Sequence, residues 1–356
     1  MANTNYIKNL IKNNSNWKKV LENKGIDIKE DGDYTILKYN LLKADFNDPM
    51  VKECRGLIIH NREVVCRAFD KFGNYGEYYA DDIDWTSAKV QEKMDGSIMK
   101  LWYNHYENRW FVSTNNSLEA KEVSNSSGEN FGVMFSVALV DALKGKAVED
   151  FLRSLNQNFT YIFELVSPNN RIVVPYDKTE IYHIGTRDMI NGFEVNANIG
   201  IKKPKEYALN SLNDCIEVAK TFSANEHEGF VVVDKNWNRI KVKSPEYIVA
   251  HHLANNSVFN KKKGLDLVLE GEEEEFLNYF PEHKAAIDEI VNTMEQEKNK
   301  VKEIVDAGMA VRDLVSRKEY AITNHEFPWF GTAVAAIYDN KPIEFKPSYW
   351  KKFFGV

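Results

Sequence analysis

Two hydrophobic periods run through this chain, and the place where one gives way to the other divides it. Residues 5 to 21 set Tyr6, Leu10, Ile11, Trp17 and Leu21 at helical spacing, which predicts an amphipathic helix closed by Gly25 and the Asp31-Gly32-Asp33 turn. Residues 34 to 42 alternate as a strand, and 56–59 with 64–68 read as a hairpin around His60-Asn61-Arg62-Glu63. Further strands are expected at 90–92, 97–103, 109–113, 159–166, 171–174, 181–186, 229–233 and 239–242. Helices are expected at 130–143, 147–155 and 212–222, and Pro245 opens another over 246–254. Residues 1 to 250 are therefore predicted to form an α+β domain of antiparallel hairpins.

Beyond residue 250 the period becomes helical. Ile287, Ile290, Val291, Met294, Val301, Ile304 and Val305 keep one face apolar over many turns, among long charged side chains. Residues 251 to 356 are predicted to form an all-α domain in which that stripe is packing core. The acidic run Glu272-Glu273-Glu274-Glu275 reads as a solvated helix start.

Composition narrows the class. At 356 residues, 43% apolar and 12% aromatic, the chain can bury the cores of about two domains. It has no stretch of roughly 20 apolar residues and no basic-apolar leader, so a cytoplasmic protein with no membrane association is expected, in the host cytoplasm if it is viral. Cys54, Cys66 and Cys215 are sparse and unpaired in spacing, which fits a reducing compartment and argues against structural zinc. A net charge of -7 speaks against a protein that coats nucleic acid non-specifically, and any nucleic-acid contact is expected to be a local basic cleft.

The candidate chemistry sits in charged residues placed against this pattern. Lys93-Met94-Asp95-Gly96-Ser97 lies in a loop between two strands, where Gly96 permits a tight backbone. Lys93 there is a candidate nucleophile, provided its surroundings favour the neutral amine. Glu164 interrupts an apolar strand, a costly position for a carboxylate unless a cation or metal faces it. Glu228-Gly229 opens a second apolar strand, and Lys241 and Lys243 share one face of a third. Arg55 beside Gly56 suits a phosphate or carboxylate approached closely by backbone.

Taken together, Glu53-Cys54-Arg55-Gly56, Lys93 to Ser97, Phe163 to Val173, Glu228 to Val231 and Lys241 to Ser244 resemble the motifs of the covalent nucleotidyltransferases. Within them, the Asn170-Arg171-Ile172-Val173 stretch is similar to the bacteriophage-type RNA ligase 1 family. The resemblance implies a nucleotidyltransferase domain with ATP-grasp-like antiparallel sheets and ATP-dependent joining of RNA 5'-phosphate and 3'-hydroxyl ends through a Lys93-AMP intermediate. It assigns catalytic roles to Lys93, Glu228, Lys241 and Lys243. It assigns nucleotide contacts to Tyr39, Arg55, Lys71, Glu92, Asp95, Gly96, Glu164, Val231, Lys241 and Lys243, and metal contacts to Glu164, Glu228 and Glu274. It implies ATP and Mg2+, with Mn2+ as an alternative metal. The implied partner is RNA with single-stranded ends, such as breaks in a tRNA anticodon loop, and the implied state is a monomer. One departure stands out: where the family pattern places a further lysine, this chain has Ser113-Thr114-Asn115-Asn116-Ser117, so either Lys121 substitutes or that role is absent. The alternatives are a DNA ligase or mRNA guanylyltransferase, which would normally carry an appended β-barrel, or a catalytically silent RNA-end-binding protein.

Overall fold

The computed structural model describes residues 5–41, 43–125, 128–253, 259–323 and 328–356. The chain divides into two compact units, Met1–Ala254 and Asn255–Val356. The first contains twelve strands among the described residues: β1 (Ile26–Asp31), β2 (Tyr34–Tyr39), β3 (Arg55–His60), β4 (Glu63–Cys66), β5 (Lys89–Glu92), β6 (Ser97–Asn104), β7 (Arg109–Ser113), β8 (Phe159–Val166), β9 (Glu180–Asp188), β10 (Glu206–Tyr207), β11 (Gly229–Val233) and β12 (Arg239–Lys243). They form three four-stranded sheets ordered β1-β2-β3-β4, β10-β5-β11-β12 and β7-β6-β8-β9. Every strand pairing in them is antiparallel. The α+β class is as expected.

The β5–β6 connection, residues 93 to 96, passes from the second sheet to the third, so the Lys93 loop stands where two sheets meet. Apolar side chains fill each sheet's covered face. Phe230, Val232, Ile240 and Val242 pack under helix Leu212–Ala219, and Met99, Leu101, Phe163 and Leu165 pack under helix Phe131–Ala142. Both helices begin at side-chain caps: Ser211 accepts from the Asp214 N–H, and Asn130 from the Val133 N–H.

Three expectations need correction. The N-terminal helix is two, Tyr6–Asn13 and Trp17–Asn23, and β1 follows them where only a turn was expected. Just two apolar residues, Ile26 and Ile28, mark β1, too few to show a period. Residues 171–174 are not a strand. Their β-branched run reads as one, but the Val173 and Val174 N–H groups each donate at 2.8 Å to the Asp95 carboxylate, so neither is available to a ladder. The expected ends at Leu42 and Ala254 lie outside the described residues.

The second unit consists of helices and their connections, with no strand among the described residues. Its longest element, Lys284–Val311, buries Ile287, Ile290, Met294, Val301 and Val305, as the apolar stripe predicts. The acidic run starts helix Glu273–Tyr279, with Glu275 buried. The three cysteines are free and buried. Among the described residues no helix is long and apolar enough to cross a membrane.

Candidate active site

Lys93 is fixed by backbone before its side chain is considered. Its N–H donates at 2.9 Å to Gly229 O, which extends the β5–β11 ladder by one residue and sets Lys93 beside Glu228. Gly229 has φ +144° and a Cβ there would lie 2.2 Å from Val242 O, so only glycine lets β11 start so close to β12. The outcome is an ion pair: Lys93 Nζ lies 2.7 Å from Glu228 Oε2, with Lys243 Nζ 3.9 Å from Oε1 of the same carboxylate.

A cavity of about 240 Å³ opens beside this pair. Arg55, Glu92, Lys93, Gly96, Glu164, Val231, Lys241 and Lys243 line it, so eight residues singled out in the sequence converge on one space. Phe69, Phe72, Ile184 and Pro204 add an apolar wall suited to a planar ring. Arg55 presents a buried guanidinium nitrogen with no hydrogen-bond partner, an unmet donor suited to an anion.

Burial dominates the electrostatics. It pushes the Glu164 carboxyl up to about 7; Lys93 opposes the shift and Glu228 reinforces it. Glu228 is also held above the usual carboxylate range by burial, with Lys93 and Lys243 opposing. Two hard carboxylates, Glu164 lining the cavity and Glu228 paired to Lys93, fit a divalent cation that takes its remaining ligands from phosphate oxygens and water. Among the described residues no three or more His, Cys, Asp or Glu side chains gather as a protein-only metal cage.

Asp95 is placed differently from its neighbours. It does not line the cavity. Its Oδ2 accepts from the Val173 and Val174 N–H groups and its Oδ1 from the Tyr247 hydroxyl at 2.7 Å, while its own N–H donates to Tyr176 Oη at 2.9 Å. It ties the lysine loop to residues 173–176 and to helix Pro245–Leu253. Gly96 is required by proximity and not by dihedral angle, because a Cβ would lie 2.3 Å from Leu165 O.

Tyr39 and Lys71 are brought to each other but not to this cavity. The Lys71 ammonium sits 5.4, 5.1 and 5.6 Å from the ring centres of Tyr39, Phe46 and Tyr79, an aromatic enclosure for a cation. Lys71 instead lines a neighbouring cavity of about 490 Å³ that shares Phe72 and Arg239 with the first. Glu274 belongs to the second unit, in the first turn of helix Glu273–Tyr279. Lys121 is mostly exposed, pairs with Glu119 at 2.9 Å and does not line the cavity.

Several residues went unread. Lys100 is fully buried on β6, directly across from Ser113, and its ammonium bonds Gly56 O behind the Arg55 turn. Its signal was present: like Glu164, it is a charge inside an apolar strand. Arg239 shares a strand face with Lys241 and Lys243, lines the cavity, and grips Glu194 with two bonds of 2.8 and 2.9 Å. His227 Nδ1 meets Glu92 Oε1 at 2.9 Å and steadies that wall residue.

The sequence that builds this arrangement matches a known family. The family model described as RNA ligase matches residues 53–247, more than half of the chain, and the chain belongs to that family, of the bacteriophage RNA ligase 1 type. Among its relatives is a protein of Autographa californica nuclear polyhedrosis virus described as a bifunctional polynucleotide kinase/RNA ligase, 32% identical over 72% of this chain. This chain spans only 38% of that relative's length. An RNA ligase of Rhodothermus phage RM378 is 26% identical, with 72% of each covered. A solved archaeal ATP-dependent RNA ligase aligns with a TM-score of 0.48 at 13% identity, over 86% of this chain and 83% of that one.

Proposed function

We propose that this chain is an ATP-dependent RNA ligase that works through a Lys93-AMP intermediate. The observation that carries the reading is the Lys93–Glu228 pair at 2.7 Å on the edge of a cavity lined by Arg55, Lys241 and Lys243. The Lys93 ammonium must lose a proton before its nitrogen can attack phosphorus. Glu228 is the adjacent acceptor, and burial makes it a stronger base than an exposed carboxylate.

The neutral Lys93 nitrogen then forms a bond to the α-phosphorus of ATP as pyrophosphate leaves. An oxygen of an RNA 5'-phosphate next displaces the lysine, taking the AMP. A 3'-hydroxyl finally attacks that 5'-phosphorus, and AMP departs with the electron pair. Each step moves negative charge among phosphate oxygens, so fixed cations and positioning supply most of the catalysis. Lys241, Lys243 and Arg55 are the fixed cations; Val231, Phe72 and Glu92 frame the space for the base and ribose. A divalent metal, Mg2+ or Mn2+, would be held by Glu164 and Glu228, and when bound it supplies charge neutralisation at the phosphates.

Tyr39 and Lys71 are ATP contacts by resemblance alone, a role that would require Lys71 to leave its aromatic enclosure. Broken tRNA is the proposed substrate within the RNA class. The test is joining itself. With ATP and Mg2+, 5'-phosphorylated single-stranded RNA should be converted to circles and multimers, and a nicked tRNA loop should be sealed faster. Equal sealing of DNA would favour a DNA ligase, and use of GTP would favour a guanylyltransferase.

A further inference from the structure

The β11–β12 hairpin carries a tryptophan where the backbone disfavours one. Trp237 has φ +67°, a left-handed conformation that glycine and asparagine adopt readily and a bulky side chain does not. The turn enforces it. Asp234 accepts from the Asn236 and Asn238 N–H groups at 2.8 and 3.0 Å, and from Asn238 Nδ2 and the Asp84 N–H at 2.9 and 3.1 Å, so its carboxylate is spent on holding the tip. The ring gains nothing visible in return. Among the described residues Trp237 has no aromatic partner and no cation over its face, and it is only half buried.

That indole borders a cavity of about 270 Å³ within the first unit. The cavity shares Gln91, Ile184 and Arg239 with the Lys93 cavity, so the two spaces have a common wall. At its edge Lys203 is exposed and, among the described residues, has no carboxylate partner. Lys89 and Lys235 are compromised by Glu206 at 4.0 Å and Asp84 at 2.9 Å. At its floor lies His183, buried and held neutral because burial lowers its imidazole to about 4. His183 Nε2 meets Thr186 Oγ1 at 2.9 Å, and Nδ1 has no side-chain partner.

A free aromatic face, an unpaired cation and a neutral hydrogen-bonding ring around a space of nucleotide size are the parts of a single-strand binding subsite. We propose that this cavity of about 270 Å³ receives a base of the RNA strand, stacked on Trp237, with Lys203 against the backbone phosphate. The proposal rests on the RNA-ligase reading. It adds a site that holds the strand next to the reaction centre, and it accounts for a strained tryptophan that packing does not explain.

The test uses the full-length protein and a single-stranded oligoadenylate with a 5'-hydroxyl and a 3'-phosphate, which cannot be joined. Trp237→Gly suits the left-handed backbone, so its thermal midpoint should equal or exceed the parent's. Its RNA Kd should nevertheless rise about tenfold, the size of one lost stacked base. Trp237→Phe, which keeps a ring, should bind within about threefold of the parent, a flat ring being what stacking requires. Lys203→Ala should make the dependence of log Kd on log salt shallower by about 0.7, the value of one single-strand phosphate contact. Unchanged affinity in Trp237→Gly overturns the subsite. So does a matching loss of Lys93 adenylylation with ATP alone, since the ring would then serve the nucleotide cavity. If the parent binds the oligonucleotide through Trp237 but never becomes adenylylated, the ligase reading fails while the subsite stands.

Discussion

Glu228 holds the Lys93 ammonium at 2.7 Å, and its own side chain is 4% exposed against 21% for Lys93, so the candidate nucleophile is paired to a buried base while staying partly open. Replacing Glu228 by Gln keeps the shape and removes the base. Adenylylation with ATP should slow by about 10² to 10⁴-fold, the range of positioned proton transfer, with little change in thermal midpoint. Single-turnover label transfer checks this, and a rate within threefold of the parent would reassign the proton acceptor.

Glu164 makes a prediction about pH and stability. Burial raises its carboxyl to about 7 in the folded protein from an ordinary 4.5, so between those values the folded state holds a proton that the unfolded state has lost. Stability from this group is therefore present below about 4.5 and declines as pH rises to about 7. Glu164→Gln should raise the thermal midpoint relative to the parent at pH 8 and not at pH 4.5. Matching curves for the two proteins across that window would show that the carboxylate is compensated.

Tyr247 donates at 2.7 Å to Asp95, a carboxylate that otherwise relies on two backbone N–H groups. Tyr247→Phe should cost about 1 to 3 kcal/mol in stability by leaving a buried charged oxygen short of a donor. Because Asp95 anchors the lysine loop, turnover should fall more than apparent ATP affinity. Denaturant unfolding and initial rates separate the two effects.

Much of this site was legible because its charges break an apolar pattern. Glu164, Glu228, Lys241 and Lys243 stand out in strands of Val, Ile and Phe, and the same logic should have exposed Lys100 and Arg239. What sequence could not show was direction. Asp95 lies in the lysine loop but turns its carboxylate to Val173, Val174 and Tyr247, and Lys71 turns into rings from three other segments. Those partners are set by tertiary packing, which no local period records. The false strand at 171–174 has the same origin, since a distant carboxylate claimed its N–H groups.

Gly96 tests the close approach between the lysine loop and β8. A methyl group there would lie 2.3 Å from Leu165 O, so Gly96→Ala must push the loop off the strand. A loss of about 1 to 3 kcal/mol in stability and a large loss of adenylylation are expected. Parent-like thermal unfolding and label uptake would show that the loop moves freely.

The central claim is that Lys93 carries the nucleotide. Incubating the parent and Lys93→Ala with α-labelled ATP and Mg2+, followed by a denaturing gel, measures it directly. The parent should retain acid-labile label on the protein, and Lys93→Ala, folded by circular dichroism, should retain none. Label on the variant, or none on the parent in the presence of ATP and metal, would contradict the account.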